Sequence, residues 1–321
     1  MESLLHRTGN GWNDPGLSLA ADRPHIMSSA SEYPKKYPKQ YPKKDPEKFK
    51  DTRRNLLMKL AYDGTDFSGW QIQPRQVTIQ GLLVSTLEEI CGEKITVYGA
   101  GRTDAGVHAE EQAANVRLAS RIPCSNLVKA LNDHLPGSIR ILSIQEAAED
   151  FHARYDACSK TYRYRIFRGR ICPPWLCRYV FHFPYPLQEE AMQEAAKYFE
   201  GTQNFRSFTA ADGSEHPDES SFIRTVFSSQ LQRQAEELVY TVTGNGFLYH
   251  MVRNIVGTLL EVGSGRTSPK QIPEILSACH RTAAGPTASA RGLHLLRVTY
   301  QEDSPSDSNP LDKQQLPGRI E

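Results

Sequence analysis

The groups best suited to chemistry are concentrated in residues 99–109, GAGRTDAGVHA. Arg102, Asp104 and His108 stand there among glycines at 99, 101 and 106. Three glycines in eight positions imply a tightly bent backbone that something else approaches closely. The spacing G-x-G-x-x-x-x-G, with no Gly-Lys-Ser/Thr, fits neither a dinucleotide fingerprint nor a P-loop. An aspartate in such a turn can serve simply as a turn-former bonded to its own backbone. It can also be a reactive carboxylate. Asp104 and His108 together offer two metal ligands, but no third lies nearby, so a metal centre is not expected.

Two further segments carry candidate groups. In KTYRYRI (160–166) the two-residue period of a strand puts Lys160, Tyr162 and Tyr164 on one face and Arg163 and Arg165 on the other. Arg163, Arg165, Arg168 and Arg170 form the densest basic cluster of the chain's core. They suit either a charged edge strand protected from aggregation or a track for phosphates. Arg53 and Arg54 could extend such a track. Arg253 interrupts the apolar run of residues 247–262, and a charge in that setting needs a partner. None of the six cysteines sits beside a base that would make it a nucleophile, and Cys91, at a helix end, reads as buried.

The elements that must position these groups follow from apolar periodicity and turn residues. A strand is expected over 56–64, a helix over 79–91 stopped by Gly92, strands over 95–99 and 112–118, a helix over 125–134 broken by Pro136-Gly137, and a strand over 139–144. That is β-α-β-β-α-β, the ferredoxin-like order. A similar series follows: a strand over 160–167, a helix over 187–199, strands over 222–230 and 238–243, helices over 247–262 and 268–279, and a strand over 293–300. The expected class is α+β, with two lobes, 55–150 and 151–300, each a mainly antiparallel sheet with helices on one face, around a central cleft.

Composition narrows the function classes. The chain has 321 residues, long enough for two domains, and no apolar run long enough to span a membrane. Its first residues lack the order of a signal peptide, and six widely spaced cysteines make neither a disulfide framework nor a zinc quartet. A reduced, cytosolic protein is expected. The net charge of +1 hides a basic segment: residues 33–54 hold nine basic and three acidic side chains, including YPKKYPKQYPKK, whose regular prolines forbid a helix. Residues 1–54 read as a disordered basic leader, with Met27 an alternative start, and 301–321 as a disordered acidic tail. The core between them is neutral, so nucleic-acid binding must rest on local clusters.

GRTDAGVHA (101–109) resembles the catalytic signature of the tRNA pseudouridine synthase A family of bacteria. YDGTDFSGWQIQP (62–74), VTIQGLL (77–83), DFHARYDACSKTYRYRI (150–166), GTQNFRSF (201–208), FLYHMVRNIVGTLLEVG (247–263) and RGLHLLRVTY (291–300) resemble it too, in the same order. The resemblance covers residues 55 to 300 and implies the pseudouridine synthase fold. It also implies an isomerase of the intramolecular-transfer type, acting without cofactor or metal on uridines 38, 39 and 40 of the tRNA anticodon stem-loop, as a homodimer. The reaction breaks the bond from uracil N1 to the ribose, turns the base and rejoins it through C5. Asp104 matches the catalytic aspartate, acting as nucleophile or base at the sugar or the base. An ionised carboxylate in an enclosed pocket needs a nearby cation, for which Arg102 and Arg253 are the candidates. By resemblance Arg253 points at Asp104, Arg102 takes the place of the flipped base, and Tyr162 stacks on that base. Tyr249 and His250 line the same cleft or simply cap the helix, and Tyr164 reads as core. Two rival functions differ in outcome: a non-catalytic RNA-binding protein would bind without conversion, and a glycosidic-bond hydrolase would release uracil and would usually need a second placed carboxylate.

Overall fold

In the computed structural model, residues 53–210 and 219–301 are described. The tail and nearly all of the leader lie outside them. The frame is a ten-stranded sheet whose main path is assembled from both halves of the chain. The first half supplies β1 (Arg54–Tyr62), β2 (Val97–Gly99), β3 (His108–Leu118) and β4 (Ile139–Glu146), with helices α1 (Ile79–Cys91) and α2 (Cys124–His134). The second supplies β5 (Ser159–Phe167), β6 (Phe181–His182), α3 (Glu189–Lys197), β7 (Gly201–Asn204), β8 (Ile223–Gln234), β9 (Glu237–Gly244), α4 (Met251–Gly263), α5 (Ile272–Ser277) and β10 (Leu293–Thr299). The strand order is β4-β1-β3-β10-β5-β9-β8-β7, with β2 beside β3 and β6 beside β5.

The mixed α and β composition and the mainly antiparallel pairing match the sequence reading. The two sheets, however, are fused. The last strand, β10, lies between β3 and β5. It pairs in parallel with β3 at His294↔His108 and Leu295↔Ala109, and antiparallel with β5 along its length. This insertion brings the turn before β3 alongside β5. Burial explains why the arrangement holds. Leu293, Leu295 and Val298 of β10 and Tyr162, Tyr164 and Ile166 of β5 are all buried in one continuous apolar core.

Local chemistry sets the element ends. The Thr78 hydroxyl accepts from the Gly81 N–H to cap α1, and Gly92, at φ 68°, closes it. Several boundaries differ from expectation. β3 begins at His108, not 112, because 108–109 pair with β10 and Ala109 pairs with Tyr62. β2 is shorter than 95–99. The expected helix over 268–279 is a 3-10 turn, Pro269–Gln271, leading into α5, whose start carries Pro273. The helix expected from 247 begins at 251, because His250 adopts the left-handed conformation, φ 60°. The short strands β6 and β7 carried no recognised sequence signal. Cys91 is half-buried rather than buried. No helix among the described residues is long and apolar enough to cross a membrane.

Candidate active site

The turn from β2 to β3 is held from below and behind. The backbone N–H of Trp70, a residue almost fully buried, donates to the Thr103 carbonyl at 3.0 Å, and the Tyr62 hydroxyl meets the Thr103 hydroxyl at 2.8 Å. The Val107 N–H donates to the Asp104 carbonyl at 3.1 Å and closes the bend. Each glycine of the motif has a steric reason. A Cβ on Gly99 would lie 2.5 Å from the Trp70 indole, one on Gly101 would lie 3.3 Å from Lys160 Nζ, and Gly106 sits at φ 78°. The close approach expected from the glycine spacing is therefore real, and its agents are Trp70 and Lys160.

Two side chains from the start of α4 converge on Asp104. Arg253, in the first turn of α4, donates through Nη1 to Asp104 Oδ2 at 2.9 Å. Its Nε is fixed by the Ala288 carbonyl at 2.7 Å, so the guanidinium is held at two points. His250 Nε2 lies 3.3 Å from the same oxygen. Burial pushes the His250 imidazole below its usual pKa, against the pull of Asp104, so it is neutral at pH 7. Asp104 Oδ1 has no hydrogen-bond partner among the described residues. One carboxylate oxygen is thus clamped while the other is left without a partner there. Both carboxylate and guanidinium are largely enclosed, with side-chain exposures of 19% and 15%.

Of the two candidate cations for Asp104, then, Arg253 is in contact. Arg102 is exposed and has no hydrogen-bond or ionic partner among the described residues. Tyr162 is buried, with its ring edge-on to Phe247 at 5.1 Å, and its hydroxyl has no partner among the described residues. Burial, with the nearby Tyr62 and Asp104, raises its pKa, so the hydroxyl keeps its proton at neutral pH. Tyr164 is core, its hydroxyl donating to the Ser289 carbonyl at 2.8 Å.

His108 does not join Asp104. It accepts from the Gly64 N–H through Nδ1 at 3.1 Å, and its Nε2 meets the Arg178 carbonyl at 3.0 Å. It also stacks on His294 at 4.8 Å between ring centres. It fastens the segment before β6 to the β3–β10 joint. Among the described residues no group of three or more His, Cys, Asp or Glu is placed to hold a metal.

The basic cluster is largely paired within the chain. Arg163 meets Glu110, and Arg165 makes two bonds to Glu237 at 2.7 and 2.6 Å. Arg168 meets the Phe183 carbonyl and lies 3.7 Å from Glu189. Arg54 meets Glu146 at 3.2 Å. Of the four cluster arginines only Arg170 is exposed without a partner among the described residues. Sequence reasoning left His250 undecided between cleft and cap; it occupies the N-cap position of α4 without a side-chain cap bond, and its ring lies beside Asp104.

Comparison with known proteins identifies the family of the chain. The family model for tRNA pseudouridine synthase matches residues 59–156 and 195–301. Arg102, Asp104 and Arg253 fall inside the matched segments, and Tyr162 falls between them. The tRNA pseudouridine synthase A of Solibacter usitatus is 47% identical over 247 residues, covering 77% of this chain and all of that protein. The one from Brevibacillus brevis is 45% identical with the same coverage. A crystal structure of a Cbf5-Nop10-Gar1 complex is 12% identical, covering 77% of this chain and 59% of that one, with a TM-score of 0.31. The chain belongs to the tRNA pseudouridine synthase family.

Proposed function

We propose that this chain converts uridine to pseudouridine in tRNA, at positions 38, 39 and 40 of the anticodon stem-loop. The observation that carries the reading is the Asp104 carboxylate with one oxygen clamped by Arg253 at 2.9 Å and the other open, next to a buried tyrosine. Family membership supports the chemistry.

The target uridine is stacked in RNA and must leave the stack before the reaction, at a cost of a few kcal/mol. Arg102, exposed on the catalytic turn, fills the gap. The extruded base stacks on Tyr162, a contact worth about 1–3 kcal/mol. Asp104 Oδ1 then acts at the sugar or the base, as nucleophile or base, while Arg253 keeps the carboxylate oriented. The N1–C1′ bond breaks, the base turns against the tyrosine, the C5–C1′ bond forms, and the C5 proton departs. The Tyr162 hydroxyl, without a partner among the described residues, relays that proton by passing its own to water as it takes up the one from C5.

The working form is a homodimer in the cytoplasm. Support for the dimer comes from Ile171, Trp175 and Tyr185, near one another in sequence and largely exposed, Ile171 at 80% and Trp175 at 75%. Support for a reducing compartment comes from six free thiols. The test is to incubate the protein with unmodified tRNA and map pseudouridine by mass spectrometry. Conversion at 38–40 is expected. Bound but unconverted tRNA would favour the non-catalytic RNA-binding reading, and free uracil the hydrolase.

A further inference from the structure

One group of charges is not used in this account. Lys160 is the second residue of β5, two residues before Tyr162 and on the same face. Its ammonium is mostly buried and donates to the Ala100 carbonyl at 2.7 Å, directly behind the catalytic turn. Arg224, on β8, is on that face too. Lys160 pairs with Gly244 of β9, Gly244 pairs with Val226 of β8, and Arg224 is two residues from Val226. Arg224 is half-buried, its guanidinium donating to the Ser221 and Ile223 carbonyls at 2.9 and 2.7 Å. Neither Lys160 nor Arg224 has a carboxylate partner among the described residues. The charge of Arg154 acts on both.

The electrostatics of this group are unfavourable as they stand. Burial and the neighbouring arginine charges pull Lys160 down to about 8, and burial with Arg154 lowers Arg224. Two cations brought together in a partly desolvated place, neither with a carboxylate among the described residues, oppose folding and are suited to a ligand that brings the anion. The carbonyls that hold Lys160 and Arg224 orient them without neutralising them. The place also fits a nucleotide. A base on Tyr162 has its own phosphates within a few ångströms, and Lys160 is the next residue of that face.

We propose that Lys160 and Arg224, with the charge of Arg154 beside them, form a phosphate subsite that takes a backbone phosphodiester flanking the uridine at Tyr162. This rests on the RNA-modifying reading above and assigns it one anchor. The subsite holds the backbone still while the base turns. It differs from the outer arginines of β5, whose charges are met by glutamates.

The test uses anticodon stem-loops in which one or the other phosphate flanking the target uridine is replaced by a neutral methylphosphonate. Binding is measured across a salt series in an Asp104→Asn background, which keeps the substrate unconverted. Arg224→Gln is expected to weaken binding roughly three- to tenfold at low salt and to lower the slope of log affinity against log salt by about 0.7–0.9, one phosphate's share. Lys160→Met should act in the same direction, and Arg224→Lys should restore the slope. One of the two neutral linkages should weaken binding similarly with Lys160 and Arg224 in place, and should add nothing in Arg224→Gln. Additive losses at both linkages, or an unchanged slope in an Arg224→Gln protein whose melting curve is intact, would overturn the subsite. Failure of the underlying reading would show separately, as absence of pseudouridine when the unaltered protein acts on the all-phosphate RNA.

Discussion

The two faces of β5 treat charge in opposite ways. On one, Arg163 and Arg165 are each met by a glutamate, Glu110 and Glu237. On the other, Lys160 has no carboxylate and the Tyr162 hydroxyl no partner among the described residues. The alternation of a strand puts these two faces one residue apart. Groups completed within the chain contribute to the fold, whereas groups left incomplete at a cleft are available to something that binds there. The same contrast runs through Asp104 itself, one oxygen clamped and one open. A dense run of arginines in a sequence is therefore a poor guide to where RNA lies until its acidic neighbours are known.

The comparison can be broken by substitution, and the largest effect is expected at the Asp104 clamp. Arg253→Gln should lower kcat about a hundredfold or more with little change in KM, because the loss falls on the orientation of the reacting carboxylate. A change confined to KM would mean that Arg253 binds RNA instead. Next is the open face of β5. Tyr162→Leu should lower kcat/KM by roughly ten- to hundredfold, the worth of one stacked base. Tyr162→Phe separates ring from hydroxyl: retained binding with a slower single turnover assigns the hydroxyl to proton relay, and an unchanged rate removes it from the chemistry.

A third polar region, the His108–His294 stack at the β3–β10 joint, sharpens the comparison because it is closed to solvent yet titratable. Burial lowers both imidazoles, His294 to about 3. Both are neutral in the folded protein near pH 6.5, where an unfolded histidine takes its proton. Their contribution is full above that pH and is lost as pH falls from about 6.5 toward the folded values, because the unfolded chain binds protons that the folded one does not. Each proton steepens the loss by at most about 1.4 kcal/mol per pH unit. Urea unfolding between pH 7 and 4.5 should show a shallower acid slope in His294→Gln than in the unaltered protein. Equal slopes would place the acid sensitivity elsewhere. The smallest effect is expected on the completed face. Arg165→Gln should change turnover less than threefold and cost about 1 kcal/mol of stability, in the upper range of an ion pair that water still reaches. A large rise in KM would return Arg165 to the RNA track.

Much of this was legible in the sequence where a local rule governs. The period of 79–91 and its Thr78 and Gly92 ends specify α1, and the alternation of 160–164 separates the faces of β5. The glycines of 99–106 announce close approach, though not what approaches. Resemblance, rather than periodicity, pointed to Arg253 as the partner of Asp104, and the 2.9 Å contact has that pairing. The insertion of β10 between the halves was not legible, because parallel pairing of 108–109 with 294–295 leaves no local signature. The start of α4 was missed for a related reason. Apolar residues run through 247–252, and only the left-handed turn at His250 separates loop from helix. The partners of Arg163 and Arg165 lie 53 and 72 residues away, beyond the reach of any spacing rule.

Asp104 is proposed as the group that acts on the nucleotide. The most direct measurement is tritium release from tRNA labelled at uridine C5, comparing the unaltered protein with Asp104→Asn. Release by the first and none above background by the second, with tRNA binding retained, is the predicted result. Equal release by both would contradict it and move the chemistry to another residue.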